Sequence, residues 1–159
     1  NLFNQGIKPA VNVGLSVSRV GGAAQTKLMR SIAGNLRLEL AQFEEVARFA
    51  RFGTEVDVAT RRQIERGTRI QTALTQPVHQ PLSLNFQILI LFAVAEGLLD
   101  DIPNSRLPDF EHALLDHVAK TQPEVPRMLD HSQSLSEEEK KKLAHLISEF
   151  LEVLSLIHI

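Results

Sequence analysis

Apolar side chains alternate with small or polar ones over residues 11–18, and this two-residue period predicts a β-strand with one buried face. A cation, Arg19, follows directly, and a Gly-Gly pair then predicts a tight turn into a helix that begins near Ala23. The lead-in of residues 1–10 is predicted to be a loop. The strand therefore ends in an arginine where a sheet gives way to a helical region.

Beyond the glycines, apolar residues recur at intervals of three and four, which is the period of amphipathic helices. Gly34 interrupts the first segment at a cost of about 1 kcal/mol relative to alanine, so a kink or break is predicted there. The predicted helices are residues 23–52, 58–75, 84–99, a short set around 110–118 and one after residue 136. The architecture predicted is a strand followed by a helical bundle.

Polar residues at the predicted helix starts are typical of N-caps. Asp57 or Thr54 is predicted to cap the helix from residue 58, and Ser83 the helix from residue 84. Ser136 and Glu139 have the spacing of a capping box.

Composition excludes several kinds of site. Cysteine is absent, so the chain has no disulfide, thiolate nucleophile or cysteine metal site. His112 and His117 are five apart, which is not metal-site spacing on one helix face, and no metal is assigned. The longest apolar run, residues 88–95, is shorter than the roughly 20 residues of a membrane helix, and it is predicted to be buried on all sides.

Arg62, Arg66 and Arg69 form a basic row on one predicted helix. Such a row is found in nucleic-acid-binding proteins. Here we favour a solvated helix face or intersubunit ion pairs over nucleic-acid binding, because the net charge is −2 and the chain has no Trp or Tyr.

The segment from Gly6 to Lys27 reads Gly-Ile-Lys-Pro-Ala-Val-Asn-Val-Gly-Leu-Ser-Val-Ser-Arg-Val-Gly-Gly-Ala-Ala-Gln-Thr-Lys. This segment resembles the alpha subunits of rotary F-type ATP synthases. The resemblance covers roughly residues 1–153 and includes Leu38–Phe43, Phe49–Gly53, Asp57 and Arg66-Gly67.

The resemblance implies a mainly α fold. Residues 1–22 would be the end of an α/β nucleotide-binding domain, with a short strand and loop, and residues 23–153 a C-terminal helical bundle. The chain begins without methionine, and residues 154–159 continue no clear pattern. We therefore expect a fragment whose last six residues are a non-native tail.

The function implied is that of the alpha subunit of a proton-transporting ATP synthase, which makes or hydrolyses ATP by a rotational mechanism. The implied partners are beta subunits in an alternating hexamer, the gamma stalk, and the peripheral stalk or delta subunit. ATP or ADP with Mg²⁺ would be the ligands of the full complex. The implied location is peripheral, on the cytoplasmic face of a bacterial inner membrane or the matrix or stroma side of an organelle.

Arg19 is the main catalytic candidate, because in the family this position reaches the nucleotide on a neighbouring beta subunit. From spacing alone, a salt bridge or solvated cap is the alternative. The resemblance marks Ser16 as needed for activity, with an ordinary strand hydroxyl as its alternative. The phosphate-binding loop Gly-x-x-x-x-Gly-Lys-[Ser/Thr] is absent from the 159 residues, so no hydrolysis is expected from them alone.

The resemblance also implies a non-catalytic nucleotide pocket at Lys8, Pro9 and Gln76. Lys8 stands where the family has arginine, and Val78 where it has a second glutamine. Lysine lacks the flat guanidinium and valine lacks an amide, which calls base recognition into question. Nucleotide binding is still expected.

Residues 49–57 resemble the loop that faces the rotating stalk, where Glu55 and Asp57 would meet basic side chains. Helix capping by Asp57 or Thr54 is the alternative. Two other identities stay open from sequence: a subunit of a related rotary or secretion ATPase, and a helical interaction or adaptor module without a nucleotide role.

Overall fold

The computed structural model describes Phe3 and residues 7–13, 18–50, 57–76 and 79–156. These ranges are mostly helical, which confirms the mainly α fold class. The helices are α1 (Arg19–Ala24), α2 (Lys27–Ala50), α3 (Val58–Ala73), α4 (Leu84–Ala95), α5 (Leu107–Thr121), α6 (Glu124–His131) and α7 (Glu137–Leu156), with a 3₁₀ turn (Asn104–Arg106) before α5.

The strand predicted at residues 11–18 is wrong at its described positions, and residues 14–17 lie outside the described ranges. Residues 11–13 form a loop and Ser18 is the N-cap of α1. A strand needs a neighbouring strand to receive its backbone hydrogen bonds, and the described part of the chain offers none. The Val11 N–H instead bonds to the Pro9 carbonyl at 2.8 Å.

The helical region begins earlier than predicted, at Arg19, and is interrupted at Gln25, whose backbone is extended. The Ser18 Oγ caps α1 by accepting the Gly21 N–H at 2.9 Å. At the other end, Arg30 of α2 donates to the carbonyl oxygens of Ala23 and Gln25 at 3.4 and 3.3 Å. Two polar side chains therefore hold this short helix.

The break predicted at Gly34 is also wrong, because α2 continues through it to Ala50. Tertiary packing outweighs the weak propensity of one glycine. The buried stripe of the helix lies on its opposite side and consists of Leu28, Met29, Leu36, Leu40 and Phe43.

A close approach of α2 and α3 depends on a different glycine, Gly67. A Cβ at this position would lie 2.1 Å from Cγ of Phe43, far inside van der Waals contact. Gly67 is therefore the residue that allows the two helices to pack against each other.

The centre of the core is α4, and its burial on all sides confirms the sequence prediction. Residues 88–94 are all buried, and α4 packs against α2, α3 and α6. It ends at Ala95, earlier than predicted, because Gly97 adopts a left-handed φ of 71° that ends the helix.

Two of the predicted helix caps form and the third does not. Asp57 Oδ1 accepts the Thr60 N–H at 2.7 Å, and this backbone hydrogen bond lowers the pKa of Asp57. Ser136 and Glu139 form the reciprocal capping box. Ser83 occupies the N-cap position of α4 but makes no capping hydrogen bond with its side chain.

The last helix, α7, joins the core through aromatic contacts with α5. The Phe150 ring lies 5.7 Å from Phe110 and 4.8 Å from His117, centroid to centroid. Leu143 and Ile147 of α7 are fully buried.

Candidate functional site

Arg19, the predicted catalytic residue, is the first residue of α1 and is exposed. Within the described ranges, its guanidinium makes no hydrogen bond or ion pair. No residue of α1 is buried, and the side chain of its neighbour Val20 is 80% exposed. The arginine is thus placed on a surface that the described residues leave uncovered. Ser16, its predicted companion, lies outside the described residues.

Lys8, Pro9 and Gln76, the three residues assigned to a nucleotide pocket, line one cleft of about 490 Å³. The Gln76 N–H donates to the Lys8 carbonyl at 3.0 Å, which fixes the loop after α3 against the N-terminal segment. Most of the lining is exposed, so the cleft is open to solvent. The structure therefore brings together residues that are 68 positions apart in sequence.

Further residues of this cleft were missed by the sequence analysis: Phe3, Ala10, His79, Gln80 and Pro81. The Lys8 ammonium lies 5.2 Å from the centroid of the Phe3 ring, within cation–π range. His79 has a left-handed φ of 62°, which is uncommon outside glycine. Gln80 could have been found from the sequence, because it is a second glutamine four residues after Gln76, in a loop bounded by prolines. Val78 lies outside the described residues.

A smaller cleft of about 270 Å³ separates the N-terminal segment from α2 and α3. Its walls are largely apolar and include Ile7, Val13, Leu40 and Leu74. Asn12 spans it by donating its side-chain N–H to Glu44 Oε2 at 2.9 Å. This contact and the Gln76–Lys8 bond attach the N-terminal segment to the helices.

The basic row predicted on α3 does not form a solvated face. Of its three arginines, only Arg62 is exposed. Arg66 donates to Glu39 of α2 at 2.5 Å and to the Ala95 carbonyl at the end of α4 at 2.9 Å. The hydrogen bond to Glu39 is the main reason that the pKa of Arg66 is raised.

Arg69 is 8% exposed and turns toward the segment after α4. Its Nη2 donates to the carbonyl oxygens of Asp100 and Ile102 at 2.7 and 3.0 Å, and its Nη1 lies 3.4 Å from the Asp100 carboxylate. Arg66 and Arg69 therefore link helices of one chain. They offer no continuous basic surface for nucleic acid.

Where α2 ends and α3 begins, Asp57 is the N-cap of α3, which is the alternative role predicted for it. Glu55 lies outside the described residues. Phe49 and Val58, on either side of residues 51–56, are 67% and 68% exposed. Phe49 is the second-last residue of α2 and Val58 is the first residue of α3.

Within the described part of the chain, acidic residues and histidines do not gather into a group of three that could hold a metal ion. Among the helices described, none is both long and apolar enough to cross a bilayer.

Comparison with known proteins identifies the fold. The family described as "ATP synthase alpha/beta chain, C terminal domain" matches residues 25–150. The ATP synthase subunit alpha of Lawsonia intracellularis (strain PHE/MN1-00) is 44% identical over 149 residues, covering 94% of this chain and 29% of that protein. The ATP synthase subunit alpha of Petrotoga mobilis (strain DSM 10674 / SJ95) is 42% identical over 152 residues, covering 96% and 30%.

The chain thus spans about three-tenths of the length of these two relatives. Their identity confirms the resemblance seen in residues 6–27. The boundary predicted between residues 22 and 23 stays a prediction. The chain belongs to the ATP synthase alpha/beta chain family, whose C-terminal domain it carries, and the relatives it resembles are alpha subunits.

Proposed function

We propose that this chain serves in the alpha subunit of a proton-transporting ATP synthase and supplies Arg19 in trans to the catalytic site of a beta subunit. Phosphoryl transfer spreads negative charge over the oxygens of the transferring phosphate. A guanidinium stabilises that charge with directed hydrogen bonds and does not lose its proton. Arg19 would therefore complete a site whose nucleotide is held by another chain.

The observation that carries this proposal is the exposure of Arg19 on a helix that buries nothing. An arginine with a structural role would be expected to resemble Arg66 or Arg69, which bond to carboxylates and carbonyls within the chain. Arg19 has no such partner in the described ranges. Ser16 belongs to the same proposal, as the residue that sets the segment leading to Arg19.

A second part of the proposal concerns a non-catalytic nucleotide, ATP or ADP with Mg²⁺ in the full complex. Lys8, Pro9 and Gln76 would hold its base in the cleft described above. The phosphates would be bound by a glycine-rich loop in sequence outside these 159 residues. The convergence of the three residues on one cleft supports this part.

The proposed partners are beta subunits in an alternating hexamer, the gamma stalk, and the peripheral stalk or delta subunit. The exposed Phe49 and Val58 support a contact with the stalk at the α2–α3 end. The complex would lie peripherally on the cytoplasmic face of a bacterial membrane, or on the matrix or stroma side in an organelle.

Substitution of Arg19 in the assembled complex tests the catalytic part. We expect Arg19→Ala to reduce multisite ATP hydrolysis by about 10³-fold or more, with assembly intact, because transition-state charge loses its partner. Arg19→Lys should also reduce multisite ATP hydrolysis, since an ammonium lacks the planar, two-pronged donor geometry of a guanidinium.

The matched control is Arg127→Ala, which removes an exposed arginine from α6. It should assemble and turn over ATP as wild type does. Assembled Arg19→Ala complexes with wild-type turnover would refute the catalytic role.

A further inference from the structure

The placement of α1 depends on polar contacts, because no residue of this helix is buried. A helix of six residues is not stable alone. The Ser18 Oγ accepts the Gly21 N–H, but the two residues are only three positions apart, so this bond shapes α1 without attaching it to the bundle. Arg19, the proposed catalytic residue, therefore needs another contact that ties α1 to the bundle.

Arg30 of α2 makes such a contact. Its Nη2 donates to the carbonyl oxygens of Ala23 and Gln25 at 3.4 and 3.3 Å. Ala23 lies in the last turn of α1 and Gln25 is its C-cap. Carbonyl groups at this end of a helix lack donors within the helix, and the helix dipole favours a cation there. Within the described ranges, the Arg30 guanidinium makes no ion pair that would compete with these carbonyls.

The backbone of Arg30 is fixed by the core. The two residues before it, Leu28 and Met29, are 1% and 6% exposed and belong to the hydrophobic core. The Met29 N–H donates to Thr26 Oγ1 at 3.2 Å, which caps the start of α2. The α2 helix itself packs against α3 and α4. Arg30 thus extends from a buried and capped helix end to the exposed helix that carries Arg19.

We propose that Arg30 is a positioning residue, which holds α1 against α2 so that Arg19 is directed at the neighbouring catalytic site. A displacement of about 1 Å in a group that stabilises the transition state can cost about 10²-fold in rate. Arg30 acts through the two carbonyls of α1 and does not contact the nucleotide. This inference rests on the proposed function, in which Arg19 acts in trans.

The test measures multisite ATP hydrolysis by the assembled complex. We expect Arg30→Ala to lower kcat about tenfold while KM changes by less than about twofold, because Arg19 would act in the transition state and another chain holds the nucleotide. Arg30→Lys should retain most of the wild-type kcat, since an ammonium has three donors for the same two carbonyls.

Two further variants complete the set. Arg30→Met keeps a long side chain without its donors, so it should lower kcat as Arg30→Ala does, and it replaces that variant if the alanine complex does not assemble. Arg37→Ala is the matched control and should have the wild-type kcat. Arg37 is an exposed arginine two turns further along the same face of α2, and it makes no bond to α1 within the described ranges.

A double-mutant cycle with Arg19→Ala separates a positioning role from an ordinary structural one. If Arg30 acts through Arg19, adding Arg30→Ala to a complex that already carries Arg19→Ala should cause no further loss of kcat. A general structural defect would lower kcat by the same factor in both backgrounds.

The possible failures are distinguishable. A wild-type kcat in assembled Arg30→Ala complexes, or a loss of equal size with and without Arg19→Ala, would overturn the inference and leave the catalytic role of Arg19 in place. Wild-type turnover by assembled Arg19→Ala complexes would refute the catalytic role itself, and the inference with it.

Discussion

The α2–α3–α4 body and the α1 helix differ in what holds them in place. The body has a continuous core, the close contact at Gly67 and the bonds of Arg66 and Arg69. α1 has no buried residue and is held by the Ser18 cap and by Arg30. The proposed catalytic residue lies on α1, the less anchored part. Chemistry directed at another chain requires exposure, and exposure removes the burial that would stabilise the helix by itself.

The same contrast applies to the arginines. Arg66 and Arg69 are fixed by carbonyls and carboxylates, whereas Arg19 is exposed. A guanidinium whose Nη groups are already bonded within the chain is a poor candidate for binding a phosphate. The difference sets Arg66 and Arg69 apart from Arg19. Arg62 and Arg127 are exposed as well, so the family resemblance, and not exposure alone, distinguishes Arg19.

Gly67→Ala should have the largest effect on the body, a destabilisation of about 3 kcal/mol, because the new Cβ overlaps Phe43 and forces α2 and α3 apart. The measurement is urea unfolding followed by circular dichroism. The matched control is Gly34→Ala, whose Cβ meets nothing within 4 Å. It should instead stabilise the chain by about 1 kcal/mol. Equal effects of the two substitutions would contradict the close contact at Gly67.

Glu111 of α5 is a second test of the body, because burial raises its pKa from 4.5 to about 8. Its Oε1 is buried and has no hydrogen-bond partner among the described residues. The folded state therefore keeps a proton that the unfolded state releases. The contribution of Glu111 to stability is greatest below pH 4.5, falls as the pH rises toward 8, and levels off above that.

We expect Glu111→Gln to remove this loss, which is on the order of a few kcal/mol. The variant and wild type should have similar stability near pH 4, and the variant should be more stable near pH 9. Unfolding midpoints across this pH range measure the difference. Glu45→Gln, which removes an exposed charge of α2, is the control. A constant difference between Glu111→Gln and wild type over the whole range would show that burial does not shift the proton equilibrium.

Features that depend on residues close together in the chain can be predicted from sequence, and features that depend on distant residues cannot. The α3 helix and the Ser136 capping box depend on residues three or four apart, and both were predicted correctly. The strand was wrong at residues 11–13 and 18, the described part of its predicted range, because pairing depends on strands that the pattern does not contain. The bonds of Arg66 and Arg69 join residues 27 to 33 positions apart, and spacing on one helix does not reveal them.

The residues of the candidate site also divide into those that could be predicted from sequence and those that could not. Lys8, Pro9 and Gln76 were predicted from the family resemblance, and the fold brings them together at one cleft. Phe3 and Gln80 were missed because the resemblance directed attention to positions that this chain has changed. The fold places both at the same cleft although they lie 77 positions apart in sequence.

The last prediction compares two serine caps. It has the smallest expected effect on stability, and it tests the contrast between α1 and the α2–α3–α4 body most directly. Ser18→Ala removes the side chain that accepts the Gly21 N–H, at a local cost of about 1 kcal/mol. Six residues do not form a stable helix alone, so α1 should lose hydrogen-exchange protection while the global unfolding midpoint stays unchanged. Ser136→Ala removes the corresponding cap of α7, whose apolar face is part of the core. It should lower global stability by about 1 kcal/mol. If Ser18→Ala lowers the global midpoint as much as Ser136→Ala does, α1 folds cooperatively with the body, and the exposure of Arg19 cannot be attributed to a weakly anchored helix.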